Sequence, residues 1–426
     1  MLQFIRRIFR SANPAPANYR DIFFHLYMEI AWFGVLAGTT IAFLAVFATR
    51  QGASSFQIGL LSSVPALVNL VVSLPAGSWL SRQRIGRAVF LTSLIQRSFY
   101  IVMVVLPVLL VPEAQVWTIV MITFLMSVPG AAMTVGFNSL FGEAVPVEWR
   151  GQVVGIRNAI LSIVTTGFTL ISGQILEHMP FPAGYQVVFA IGVVGALVSS
   201  AHLYLLSRLV GTKAAEGIIM PARTAAGRRL AVELRQIYQR GLQSLRLDVM
   251  RGPFAQLMLL LFGWHLVQFM PIPLITPFVV NELQLSDQVI SLASSCFNVT
   301  VFLGSLRLSQ LTHRFGNKIL TGVGIMGLSL FPTLTALGPA GYIWGNLIGG
   351  LAWALAGGAL YNLILEKCPG HDRPAYLAWY SMVSNAAILL GSTAGPAIAG
   401  VIDPQIALII FGIGRLLAGI AVLRWA

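Results

Sequence analysis

Glu143-Ala144-Val145-Pro146-Val147-Glu148-Trp149-Arg150 closes one apolar run of this chain, and Glu366-Lys367-Cys368-Pro369-Gly370-His371-Asp372-Arg373 closes another. Glu, Pro and Arg recur in the two octets at an offset of 223 residues. A second pair of loops, Arg84-Ile85-Gly86-Arg87 and Arg314-Phe315-Gly316-Asn317-Lys318, repeats at an offset of 230. Two loop motifs repeating at nearly one distance imply duplication of a larger unit.

The spacing of the apolar runs gives that unit its content. Runs fall at 22–48, 56–80, 88–111, 115–142, 152–177 and 184–207, and again at 253–281, 288–311, 318–338, 340–365, 375–402 and 405–424. Roughly 20 apolar residues cross a bilayer as a helix, so the pattern predicts six spans, a polar stretch at 208–252, and six more. The 426 residues are 57% hydrophobic and only 10% charged. A soluble chain would have almost no polar exterior at that balance, whereas lipid removes the need for one. The 41 Gly and 21 Pro are tolerated in membrane helices, where neighbours re-satisfy freed backbone groups. The expected fold class is an all-α membrane protein of twelve transmembrane helices in two pseudo-symmetric six-helix bundles. Its divisions are a leader at 1–21, bundles at 22–207 and 253–426, and a basic linker at 208–252.

Loop charge orients the spans. Arg82, Arg84 and Arg87, then Arg150, Arg314 and Lys318, Lys367 and Arg373, and Arg424 occupy alternate connections. The other connections hold Arg50 and the acids Glu113, Glu177, Glu282, Asp287 and Asp403. The positive-inside bias puts both termini and the linker in the cytoplasm, in the cytoplasmic (inner) membrane. The net charge of +13 is then membrane topology. No aromatic interleaving accompanies it, so nucleic acid is not an expected partner. In the linker, Leu230, Leu234, Ile237 and Leu245 share a face, with Arg228, Arg229, Arg235, Arg240 and Arg246 opposite. That pattern suits a helix lying on anionic head groups; a solvated linker is the plainer alternative. Cys296 and Cys368 lack metal-ligand spacing and are not expected to pair. No metal or cofactor is expected. No phosphate-binding Gly-x4-Gly-Lys-Ser/Thr loop and no soluble catalytic domain appears, so neither an enzyme nor an ATP-driven pump is expected.

On these motifs the chain resembles the major facilitator superfamily. That family carries a Gly-x-x-x-Asp-Arg-x-Gly-Arg-Lys type signature between its second and third helices. Gly77, Arg82, Gly86 and Arg87 are similar to it, with Ser81 in the acidic place and two extra residues. The second copy, His313 to Lys318, keeps the spacing with His313 in the acidic place. The Glu-x6-Arg pairs look like those of the sugar-porter branch, whose other signatures are absent. The resemblance implies alternating access about a central cavity lined by helices 1, 4, 7 and 10. It also implies a cytoplasmic gate, here Arg82, Arg87, Glu143, Arg150, Arg314, Glu366 and Arg373, that holds the outward-facing state shut. Solvated charges serving topology alone are the alternative.

Glu29 lies about two turns inside helix 1. A carboxylate facing lipid there costs on the order of 3 kcal/mol, so it should face the bundle or water. It is the candidate proton site, with His25 one turn away; a structural carboxyl paired with an arginine, or a group sitting in the membrane interface, is the alternative. Cavity candidates by position are Trp32, Asn138, Trp264, His265, Gln268, Asn346, Trp353, Tyr361 and Asn362, with packing the plainer reading of each. Arg97 and Arg307 are expected to snorkel, while Arg415 has no account in the sequence. Gly395-Pro396 predicts close packing and a bend. The function expected is proton-coupled efflux of a small amphipathic compound by a monomer. Uptake of a sugar or other neutral metabolite, and a non-transporting assembly factor or receptor on the same fold, are the alternatives.

Overall fold

The computed structural model describes residues 19–80, 83–215, 247–369 and 373–426. Arg82 of the expected gate, most of the leader, and the linker face built on Leu230, Leu234, Ile237 and Leu245 lie outside the described residues. The described residues form twelve helices long and apolar enough to cross a membrane. The first six are α1 Arg20–Arg50, α2 Ser55–Leu80, α3 Ile85–Leu109, α4 Pro112–Ala144, α5 Val147–His178 and α6 Ala183–Ala215. The second six are α7 Gly252–Glu282, α8 Asp287–Phe315, α9 Asn317–Thr335, α10 Pro339–Glu366, α11 Arg373–Ala399 and α12 Pro404–Trp425. Helix α6 continues past residue 207 to Ala215, and α9 stops short of the expected 338 at Thr335.

Packing repeats as the loops do. In the first half α2 packs on α4, α3 on α4 and α6, and α1 on α5; in the second α8 packs on α10, α9 on α10 and α12, and α7 on α11. The halves meet where α5 packs on α8 and α2 on α11, two seams that the repeat interchanges. With no hydrophobic drive between helices in lipid, such seams rely on small residues that let backbones approach. A Cβ added to Gly59 on α2 would fall on the Ser392 carbonyl of α11, and one on Gly173 of α5 would fall on the Ser291 hydroxyl of α8.

Helices α1 and α7 depart from regular geometry alike. Each contains a π-helical turn, at Ala37–Ile41 and at Phe278–Glu282, a feature frequent at functional sites. Helix α7 is also interrupted between Phe269 and Ile272, around Pro271, since proline supplies no N–H to the preceding turn. Gly395 backs onto this interruption: a Cβ there would fall on the Met270 carbonyl. This is the close packing that Gly395-Pro396 predicts.

Candidate functional site

Two polar knots sit in the membrane, one in each half. In the first, Glu29 of α1 is 3% exposed. Arg97 of α3 donates from Nη2 to Glu29 Oε1 at 3.2 Å, and Arg157 of α5 donates from Nη2 to Oε2 at 2.9 Å. Arg157 also donates to the Leu26 carbonyl at 2.8 Å, with its guanidinium 4.8 Å from the Phe137 ring centre. Ser199 of α6 donates to Glu29 through Oγ, and Arg97 donates to Ser200. One carboxylate thus ties four helices, and the knot carries a net positive charge. A buried charge must be paired and hydrogen-bonded to be tolerated, and each of the three is.

This arrangement corrects two expectations. Arg97 does not snorkel: it is 3% exposed and turned inward to Glu29. His25 does not meet Glu29. Its Nδ1 lies 2.9 Å from Nδ1 of His202 on α6. Arg157 and His202 are the partners that no expectation named. Both fall inside predicted spans, where any ionisable group demands a partner; that depth is the signal that finds them.

The second knot lies on α7, α9, α11 and α12. His265 Nδ1 is 2.7 Å from the Leu261 carbonyl and Nε2 is 3.4 Å from the Tyr380 hydroxyl. His265 therefore joins α7 to α11 as Glu29 joins α1 to α5. Tyr361 of α10 stands edge-on to Tyr380 at 5.9 Å. Trp264 does not line a cavity; it is 1% exposed and packed with Leu261, Ile325, Leu360 and Val422 inside the half. Gln268 and Asn346 are buried too, and Asn346 donates to the Tyr342 carbonyl. Trp32 is half-buried, while Asn138, Trp353, Tyr361 and Asn362 are exposed. Asn362 donates to Asn317 at 3.5 Å.

Arg415 of α12 is fully buried and donates to the Leu328 carbonyl at 3.1 Å and the Gln268 carbonyl at 2.6 Å. Leu328 lies four residues before Pro332, which has no N–H for it. Gln268 lies at the end of the first α7 segment, among carbonyls left without intrahelical partners. Arg415 caps both breaks.

The two ends of the molecule differ. At the end bearing the acidic loops, Arg50 of α1 pairs with Asp287 of α8 at 2.7 Å and donates to the Leu285 carbonyl at 3.1 Å, joining the halves. A cavity of about 740 Å³ opens above this contact, lined by Arg50, Tyr185, Glu177, Asn281 and Asp287. About midway along both helices, Asn69 of α2 donates to Asn385 of α11 at 3.4 Å. At the basic end, among the described residues, Arg87, Glu143, Arg150, Arg314, Glu366 and Arg373 make no ion pair with the opposite half. Arg150 donates to the Gly142 and Val145 carbonyls, and Glu366 accepts from Asn317, each within its own half. Cys296 and Cys368 are free; burial raises the Cys368 thiol, with Arg373 opposing.

Known proteins share this architecture. The sequence profile of the Major Facilitator Superfamily matches residues 30–270 and 257–426. A bacterial homologue of the iron transporter ferroportin in an inward-facing state superposes with a TM-score of 0.69 at 15% identity, over 95% of this chain and 98% of that one. The xylose transporter XylE from E. coli, in a partially occluded inward-open conformation, gives a TM-score of 0.64 at 17% identity over 95% and 98%. Multidrug resistance protein 1 of Bacillus subtilis (strain 168) is 28% identical over 128 residues, 30% of this chain and 32% of that protein. The matched segment thus spans about a third of that relative.

Proposed function

From the premise that this chain belongs to the Major Facilitator Superfamily, a family of membrane transporters, we propose that it exports a small amphipathic compound across the cytoplasmic membrane, driven by protons. One observation carries the alternating-access part of this reading. The halves are clamped at the acidic-loop end by Arg50–Asp287, whereas the described charges of the basic loops stay within their own halves. That asymmetry is what one state of an alternating-access cycle requires. With the basic loops in the cytoplasm, the state is inward-facing, and in the opposite state Arg87, Glu143, Arg150, Arg314, Glu366 and Arg373, with Arg82, close the cytoplasmic side. Export is supported by the partial likeness to a protein named for multidrug resistance. One chain carries both halves, so a monomer suffices.

Glu29, with His25 nearby, is the proposed proton site. A proton on Glu29 would release Arg97 and Arg157 together, so α1, α3 and α5 would all respond. The test is flux in proteoliposomes with and without an imposed pH gradient. Glu29→Gln is expected to abolish gradient-driven accumulation while leaving counterflow measurable. A well-folded variant with wild-type coupling would make Glu29 a structural carboxyl only. A wild-type protein that moves nothing while binding solutes would favour a receptor or assembly factor.

A further inference from the structure

The seam between α2 and α11 holds polar groups that neither knot uses. Asn385 donates to the Ser381 carbonyl of its own helix at 2.8 Å, which leaves its Oδ1 toward α2, where Asn69 donates to it. Ser381, Ser384 and Asn385 are spaced along one face of α11; Tyr380, the residue before Ser381, meets Tyr361 of α10 edge to face. The Asn69–Asn385 bond joins the two halves about midway along these helices.

The charged groups of the interior face elsewhere. Glu29, Arg97 and Arg157 are satisfied within the first half, and Arg415 lies fully buried in the second. Arg307, nearer the basic end, is exposed and donates to Gln310 on its own helix. Helices α2 and α11 carry no carboxylate, and their only cation is Arg373 at the basic end, so neither a cationic nor an anionic cargo would find a counter-charge on the two helices of the seam. An amide pair offers one donor and one acceptor and no charge. A neutral group that gives and takes hydrogen bonds can replace each partner when the halves part, whereas an ion would leave its own charge unsatisfied.

We infer that the cargo is an uncharged, hydrogen-bonding amphipathic molecule, selected by the Asn69–Asn385 pair with the Tyr361 and Tyr380 rings as its apolar platform. The inference rests on the transport reading and narrows it.

The experiment uses the purified full chain in proteoliposomes with two neutral probes (chloramphenicol and uridine), a cation (ethidium) and an anion (1-naphthoate). Binding is followed separately by thermal stabilisation. Saturable flux of at least one neutral probe is expected, with ethidium and naphthoate at least tenfold slower. Asn69→Ala and Asn385→Ala should each raise KM for the neutral probe about tenfold, the equivalent of one hydrogen bond at 1.4 kcal/mol per decade, with kcat retained. Asn385→Asp, isosteric with the native side chain, should shift preference toward ethidium and keeps the test open if an alanine variant misfolds. Preferential flux of ethidium or naphthoate by the wild type overturns the inference and leaves the transport reading standing. Unchanged KM in well-folded alanine variants does the same. Neutral binding without flux removes the transport reading and keeps the site; neither binding nor flux of a neutral probe overturns the site.

Discussion

Arg415 shows how a residue that looks misplaced in one dimension is required in three. A charge at that depth is costly on any scale, yet two carbonyls freed by Pro332 and by the break at Pro271 need donors, and a guanidinium supplies both at once. Leucine would remove the buried charge and leave two carbonyls unsatisfied, each costing about 1–3 kcal/mol. Arg415→Leu is therefore expected to destabilise the protein by about 2–4 kcal/mol, read as a lowered melting temperature in detergent. Arg415→Lys keeps one donor and should lose less. A wild-type melting temperature in Arg415→Leu would show that the freed carbonyls find other partners. Glu29 obeys the same rule with the signs reversed: one acceptor group answers two arginines. Breaking such a buried pair by removing one partner costs about 3–5 kcal/mol. The Glu29→Gln transport test must accordingly be read on protein whose fold has been checked.

At the scale of the element, helices α2 and α11 approach because Gly59 offers no side chain to the Ser392 carbonyl. A substituent there forces the helices apart at the acidic-loop end, where the halves are clamped. Gly59→Val should lengthen the distance between spin labels at positions 54 and 401, which flank that end of α2 and α11. A distribution identical to wild type would mean that α2 and α11 do not set the closure. The twin irregularities of α1 and α7 belong to this scale as well. Both helices have a π turn in the half that leads toward the Arg50–Asp287 contact, so both are locally unwound beside the closed end.

On the alternating-access reading, the molecule as a whole balances two closures. Asp287 is buried but Arg50 keeps 28% of its side chain exposed, so the pair is screened from the Arg50 side and contributes about 1 kcal/mol. Asp287→Asn should then shift the population of states about fivefold toward opening of the acidic-loop end, measured with the same labels. If these charges form the proposed cytoplasmic gate, they gain cross-half partners only in the other state, and Glu143→Gln and Glu366→Gln should act in the opposite direction. Equal distributions in all three variants would leave loop charge with topology alone. Topology has its own measurement. Cysteines placed at Glu113 and Asp403 should label from outside the cell, and one at Arg228 only after permeabilisation. Cys296 and Cys368 must be replaced first, though Cys368 is buried and donates to the Ile364 carbonyl. External labelling at 228 would reverse the orientation and with it the direction assigned to the clamp.

Twelve spans and a duplicated unit were legible in the one-dimensional chain because both are written in local terms: run length against bilayer thickness, and loop motifs at a fixed offset. Glu29 was legible as a residue needing a partner, since depth in a span is itself a sequence property. Its partners were not. Arg97 and Arg157 lie on other helices, and which faces of α1, α3 and α5 turn together depends on packing rather than on spacing. The same holds for His25 with His202, for Trp264 inside its half, and for Asn69 with Asn385 across the seam. Arg415 marks the limit most sharply. Its role is set by two backbone carbonyls on α7 and α9, and a carbonyl's need for a donor becomes visible only when the helix that should satisfy it is seen to break.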